Sequence, residues 1–403
     1  MRRWPLLVLA GLALVALAFF AVAPGIAERS MNRVDGQRLP PVSDEARNLH
    51  AALTIVDLHG DTLLWDRNLL TRAQRGHIDL PRLRDGNVAL QVFSSVTKTP
   101  RGQNYEANTS ETDTITPLVV GQLQPVRTWG SLLERSLYHA AKLERAAEAS
   151  GGSLVLVRNG SDLGQVRRTG APGPVAAMLS VEGLHDLEGD LDNLDRLYAA
   201  GVRMAGLTHF FDNFLAGSMH GTTKGGLTDA GREAVRRMER MGMVVDIAHC
   251  SHACVADVLA MARRPVVSSH GGVQATCREN RNLTDAEIRG IAATGGIVGI
   301  GYWPGAVCDT SPAAIARAIR HVADVAGVDH AALGSDFDGA VTTRFDTSHL
   351  VQVTQALMDA GFTDSEIGKV MGGNALRVLE RGLEPMARVP LAPPRPLPQQ
   401  ARP

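Results

Sequence analysis

Aromatic residues are scarce: Phe, Trp and Tyr fill 4% of 403 positions, so the interior must be mostly aliphatic. No long Lys/Arg block occurs and the formal net charge is -1, which removes the electrostatic reason to expect nucleic acid as a partner and points to a small ligand. Only four cysteines are present (Cys250, Cys254, Cys277 and Cys308), with no Cys-x-x-Cys pair. Export would permit a disulfide, and Cys277 with Cys308 is one pairing, but sequence decides none, and buried free thiols are an equal alternative. No low-complexity linker interrupts the chain. Only residues 384–403, EPMARVPLAPPRPLPQQARP, are Pro-rich and expected to be extended or disordered.

What is present describes a globular protein. Hydrophobic residues make up 44%, charged residues 21%, and 41 glycines imply many tight turns. The length suffices for one barrel-sized domain or two ordinary ones. At the N-terminus Arg2 and Arg3 precede a run without charge from Trp4 to Ala27. Such a run is long enough to cross a bilayer, and the flanking basic residues predict export of the rest of the chain. Ala21-Val22-Ala23 resembles a signal-peptidase site, yet Pro24 comes next and the apolar run is long for a signal peptide. Residues 1–27 are therefore expected to be a single-pass anchor holding an extracytoplasmic domain at the cell membrane. The alternative is a cleaved signal that leaves the protein periplasmic or secreted. Residues 28–48 would be a linker and 49–383 the catalytic domain.

Eight apolar runs alternate with helix-like stretches. They are TIVDLHGD (54–61), NVALQVFSSV (87–96), VAAMLSVEG (175–183), VRMAGLTH (202–209), MVVDIAH (243–249), PVVSSH (265–270), GIVGIGY (296–302) and HAALGSDFDG (330–339). Helices are predicted over 228–242, opened by a Thr-Asp cap and closed by Gly, and over 311–327. This pattern predicts an α/β fold, a (β/α)8 TIM barrel, with the extra run SLVLVR (153–158) belonging to an insertion after strand two.

Active sites of such barrels sit at the C-terminal ends of the strands. His59 and Asp61 close the first run with Gly60 between them, Glu182 the third, His209 the fourth, His249 the fifth, His270 the sixth and Asp336 the eighth. A lone histidine is more often structural, but here partners converge. His, Asp and Glu without thiolate favour zinc or a similar divalent ion and exclude an iron–sulfur site. The donors exceed one tetrahedral ion's needs. Two ions fit the set, His59 and Asp61 on one, His249 and His270 on the other, with Glu182 bridging and a shared hydroxide as nucleophile, which means hydrolysis.

The motifs VDLHGD, LSVEG, LTHFFDN, VDIAH, SSHGG, RNLTDAEI and GSDFDG, in this order from about Leu49 to Leu379, resemble the membrane dipeptidase (renal dipeptidase) family of amidohydrolase-like metallohydrolases. The resemblance implies a zinc-dependent dipeptidase with two zinc ions per chain held by His59, Asp61, Glu182, His249 and His270. It implies that Asp336 carries a proton from water to the leaving amine, with Asp338 as the competing candidate. His209 would stabilise the oxyanion, and Arg281 would bind the substrate's C-terminal carboxylate. A homodimer is a further expectation of the resemblance. Ala248, Gly271 and Leu184 depart from the family's commoner wording, which bears on substrate preference. Mammalian members carry a C-terminal glycolipid, whereas attachment here is expected at the N-terminus. Rival readings are another binuclear amidohydrolase, acting on N-acyl amino acids or β-lactams, and a non-catalytic anchored binding protein. VRMAGLTH has no lysine for the usual lysine bridge of the first, and no ligand is lost as the second would require.

Overall fold

The computed structural model describes residues 4–166 and 173–386. Eight parallel strands close on themselves: β1 Ile55–Asp57, β2 Val88–Val96, β3 Val175–Glu182, β4 Val202–Gly206, β5 Val244–Asp246, β6 Val267–Ser268, β7 Ile297–Ile300 and β8 Ala331–Leu333. Closure comes where Leu333 of β8 pairs with Asp57 of β1, and the longest ladder runs from Leu90–Ala176 to Val96–Glu182 between β2 and β3. Alternation along β3 sorts the side chains. Ala176 and Met178 join the cluster inside the barrel, while Val175, Ala177, Leu179 and Val181 join the cluster under the helices. By the same parity Glu182 enters the barrel at its C-terminal mouth.

The other mouth is plugged. Ala375, Leu376, Val378 and Leu379, from the helix Asn374–Gly382, belong to the interior cluster. Gly372, just before this helix, lies so close to Thr54 that a Cβ would sit 2.0 Å from its carbonyl oxygen. One end of the barrel is thus left for chemistry. The predicted helices form as Asp229–Met241, N-capped by Thr228 and closed by left-handed Gly242, and Pro312–Ala326, N-capped by Ser311.

Strand ends differ from expectation. Of the residues read as strand ends only Glu182 lies within a strand; His59, Asp61, His209, His249, His270 and Asp336 come after theirs in loops. The backbone must leave the pleat to turn these side chains over the mouth, and His249 (φ 64°) and Asp336 (φ 60°) do so in the left-handed region. The ninth apolar run forms the strand Leu154–Leu156, pairing with Val175–Ala177 within the insertion between β2 and β3.

The N-terminal helix spans Trp4–Met31, past the predicted apolar boundary, and its stretch Leu7–Met31 is long and apolar enough to cross a membrane. Leu14 and Leu17 are each 67% exposed. Residues 28–34 contact the barrel domain, with Arg33–Val34 pairing in parallel with Thr342–Thr343. Cys277 and Cys308 form a disulfide, whereas Cys250 and Cys254 are buried free thiols. Most of the Pro-rich tail, from residue 387, lies outside the described residues.

Candidate metal centre

Asp61, Glu182, His209, His249, Arg281 and Asp336 line one cavity of about 1000 Å³ at the open mouth, with His59 and His270 buried beneath it. Gly60 permits the His59–Asp61 turn, because a Cβ there would lie 2.5 Å from Ile78 Cδ1.

Glu182 is central. Its Oε2 lies 3.6 Å from His59 Nε2, which is itself 3.4 Å from Asp61 Oδ1. Its Oε1 lies 2.9 Å from His249 Nε2, 3.1 Å from His270 Nε2 and 3.5 Å from His209 Nε2. The nitrogens of His249 and His270 are 3.0 Å apart. One carboxylate thus turns its two oxygens to two sets of donors. Asp336, with His59 and His270, makes a further group whose donor atoms lie within 4.8 Å of one another, as do Glu182, His209 and His249.

A cation suits this arrangement on the residues alone. His59 Nε2 and Asp61 Oδ1 are buried polar atoms without a hydrogen-bond partner, and imidazole with carboxylate is the donor chemistry of divalent ions such as zinc. Burial disfavours charge on His59, yet Asp61 and Glu182 hold its pKa well above the ordinary value. Burial and the charge of Arg281 push His249 well below it, and burial with the charge of His59 does the same to His270. Against burial, the charges of His209 and His59 and the hydrogen bonds of His249 and His270 hold Glu182 well below the usual range. Burial and repulsion from Asp61 drive Asp336 well above it. Three buried carboxylates crowded together are what a multivalent cation relieves.

Behind these side chains lies a layer that sequence reading did not assign. Asp57 Oδ2 accepts from Ser335 Oγ at 2.5 Å, and Ser335 Oγ also reaches His59 O at 3.1 Å. Asp246 Oδ2 accepts from Ser269 Oγ at 2.6 Å, and that hydroxyl lies 2.8 Å from His270 Nδ1. An aspartate inside an apolar strand run (IVDLH, VVDIAH) was the available signal, since a buried carboxylate needs such partners. Asp338 does not line the cavity. Its carboxylate accepts from Thr62 Oγ1 (2.7 Å), His77 N (2.6 Å) and Ile78 N (3.3 Å) and pairs with Arg67. Arg281 stacks over Trp303, 4.6 Å from the ring centre, with Nη2 3.1 Å from His249 Nε2 and Nη1 buried without a partner. Trp303 and Tyr105, joined by a 3.0 Å hydrogen bond, line the same cavity. Trp303 comes after β7, the position where a barrel's functional residues fall, whereas Tyr105 sits in the insertion without any pattern to mark it.

Comparison with known proteins shows the family and the fold. A dipeptidase of Aspergillus oryzae, aclJ, is 31% identical over 346 residues, covering 81% of this chain and 77% of its own length. Among solved structures, dipeptidase AC, a metallopeptidase, superposes with a TM-score of 0.69 at 23% identity over 82% of this chain and 99% of that one. A metallopeptidase from Rhodobacter sphaeroides, solved with a phosphinate mimic of the dipeptide L-Ala-D-Ala, gives 0.68 at 22% identity over 82% and 99%. The sequence profile of one family covers residues 43–388, so the chain belongs to the membrane dipeptidase family, peptidase family M19.

Proposed function

We propose that the protein is a two-zinc dipeptidase that hydrolyses dipeptides with a free C-terminal carboxylate, D-residues included at that position. The observation that carries the reading is the split of Glu182, with Oε2 toward His59 and Oε1 toward His249 and His270. When bound, two such ions supply Lewis acidity and bring the pKa of water into the neutral range. His59 and Asp61 would hold one ion and His249 and His270 the other, with Glu182 as the carboxylate shared between them. Arg281, kept flat by Trp303, offers its unpartnered Nη1 to the substrate carboxylate in a charge-assisted bond. That contact sets the scissile carbonyl beside His209, whose imidazole donates to the oxygen as it gains charge. Asp336 takes the proton of the attacking water on its carboxylate and returns it to the amine nitrogen as the C–N bond breaks. Acceptance of a D-residue is supported by the L-Ala-D-Ala mimic held by the Rhodobacter sphaeroides relative.

The N-terminal helix is the anchor, and the catalytic domain lies outside the cytoplasm, a reading supported by the length and apolarity of Leu7–Met31, by the exposure of Leu14 and Leu17 within it, and by the Cys277–Cys308 disulfide. The test is a panel of dipeptides with L- and D-residues at the second position, assayed on the full chain in detergent. Turnover of both stereochemical series is expected. A zinc-loaded enzyme that cleaves N-acyl amino acids or β-lactams but no dipeptide would overturn it.

A further inference from the structure

The loop after β8 carries Asp336 and is the most strained stretch near the site. Asp336, Asp338 and Ala340 take φ of 60°, 66° and 60°, left-handed conformations that non-glycine residues adopt only when surrounding contacts impose them. Those contacts come partly from upstream of the region that the family profile matches, residues 43–388. Glu28, in the last turns of the N-terminal helix, is 1% exposed. Its two oxygens lie 2.5 Å from Arg67 Nε and 2.5 Å from Arg75 Nε. The Arg67 side chain is 3% exposed and, besides this ion-pair contact, directs its terminal nitrogens to Ile78 O and the Asp338 carboxylate. Asp338 in turn is tied to Thr62 and to the Trp65 indole N–H, the latter through its carbonyl at 2.7 Å. Asn32 Oδ1 accepts from Ala340 N at 2.8 Å, and Arg33 N donates to Val341 O at 3.0 Å. The base of an apolar, membrane-length helix therefore grips the loop on both sides of its strained turn.

We propose that Glu28 is a positioning residue for catalysis. It orients Arg67, Arg67 holds Asp338, and Asp338 fixes the turn that aims Asp336 into the cavity, with Asn32 as the second grip. The anchor and the catalytic loop thereby form one mechanical unit. The proposal rests on the proton-carrying role proposed for Asp336. It predicts a defect in kcat, because Asp336 carries the proton, whereas Glu182 lies in β3, His249 on the loop after β5, and His270 with Arg281 on the loop after β6; His59 and Asp61 share the loop of Arg67, so zinc content is read in parallel.

The test uses the full chain in detergent, with an alanyl dipeptide as substrate and zinc content measured in parallel, well below each variant's Tm. Glu28→Ala is expected to lower kcat about 10- to 100-fold, the scale of a small misplacement of a reacting group, with KM within twofold and zinc content unchanged. Glu28→Gln, which keeps the size of the side chain and its acceptor for Arg75 but not the charge facing Arg67, recovers at most part of the loss. In an Arg67→Ala background Glu28→Ala adds little, since both act through the same contact. Should Glu28→Ala not fold, Glu28→Gln and Asn32→Ala carry the same measurement. Unchanged kcat, a loss that lies in KM or zinc content, or full additivity with Arg67→Ala would overturn the proposal while leaving the dipeptidase intact. If Asp336→Asn keeps wild-type kcat, the proton-carrier reading fails first, and the Glu28 proposal with it.

Discussion

The floor of the cavity takes its geometry from barrel register, whereas the rim takes its geometry from side chains outside any strand. On the floor, Asp57 and Ser335 meet because β1 lies beside β8, and Asp246 meets Ser269 because β5 lies beside β6. On the rim, Ala340 is held by Asn32, 308 positions earlier in the chain, and Asp338 by Arg67, neither of them in a strand. Floor residues follow from the fold, so any sequence that closes this barrel presents them together. Rim residues depend on pairwise chemistry that each chain must supply. On the proposed function the difference separates two tasks, holding metal and aligning the reacting groups, and substitutions on each should fail differently.

The largest effect is expected at the floor's centre. Glu182→Gln removes the charge that two donor sets share, and it should abolish dipeptide hydrolysis together with loss of bound metal; near-normal turnover with two ions retained would reject the bridge. Next, Asp336→Asn keeps the shape but cannot carry a proton. Its kcat should fall by roughly 10²–10⁴-fold, with zinc content unchanged by metal analysis, so equal loss of metal would erase the distinction between floor and rim. Arg281→Ala should cost hydrolysis of free dipeptides about 10- to 100-fold, the range for a charged hydrogen bond. Their C-terminal amides should be spared, and equal losses on both would show that the arginine does not read the carboxylate. The smallest is Asp246→Asn behind the floor. Loss of the carboxylate that orients Ser269 and His270 should weaken zinc affinity by about 10-fold, toward the lower end of outer-shell effects. Competition with a chelator of known affinity measures this.

The floor was legible because two periodicities overlap in it. Apolar runs of strand length spaced by amphipathic helices specify the barrel, and the His, Asp or Glu residues that close six of the eight runs mark the mouth. The runs overstate the strands. TIVDLHGD yields only Ile55–Asp57 and HAALGSDFDG only Ala331–Leu333, because the polar residues that end each run belong to turns. Asp57 and Asp246 were visible as polar letters in apolar words, but their serine partners, Ser335 and Ser269, lie just past the ends of the neighbouring strands and carry no local mark. The rim was not legible. Glu28 falls in the stretch read as a linker and Arg67 in no motif, and only the folded chain buries the side chains of both. The disulfide between Cys277 and Cys308 was one pairing among those the four cysteines allow, chosen by the approach of the loops after β6 and β7.

The central claim is a two-ion site built on Glu182, and metal stoichiometry coupled to activity tests it most directly. The full chain, purified in detergent, should hold about two zinc ions, the number the bridged site accommodates. It should lose dipeptide hydrolysis to a chelator and regain it when zinc is restored. A chain that binds no metal yet cleaves dipeptides, or that regains full activity with a single ion, would contradict the account.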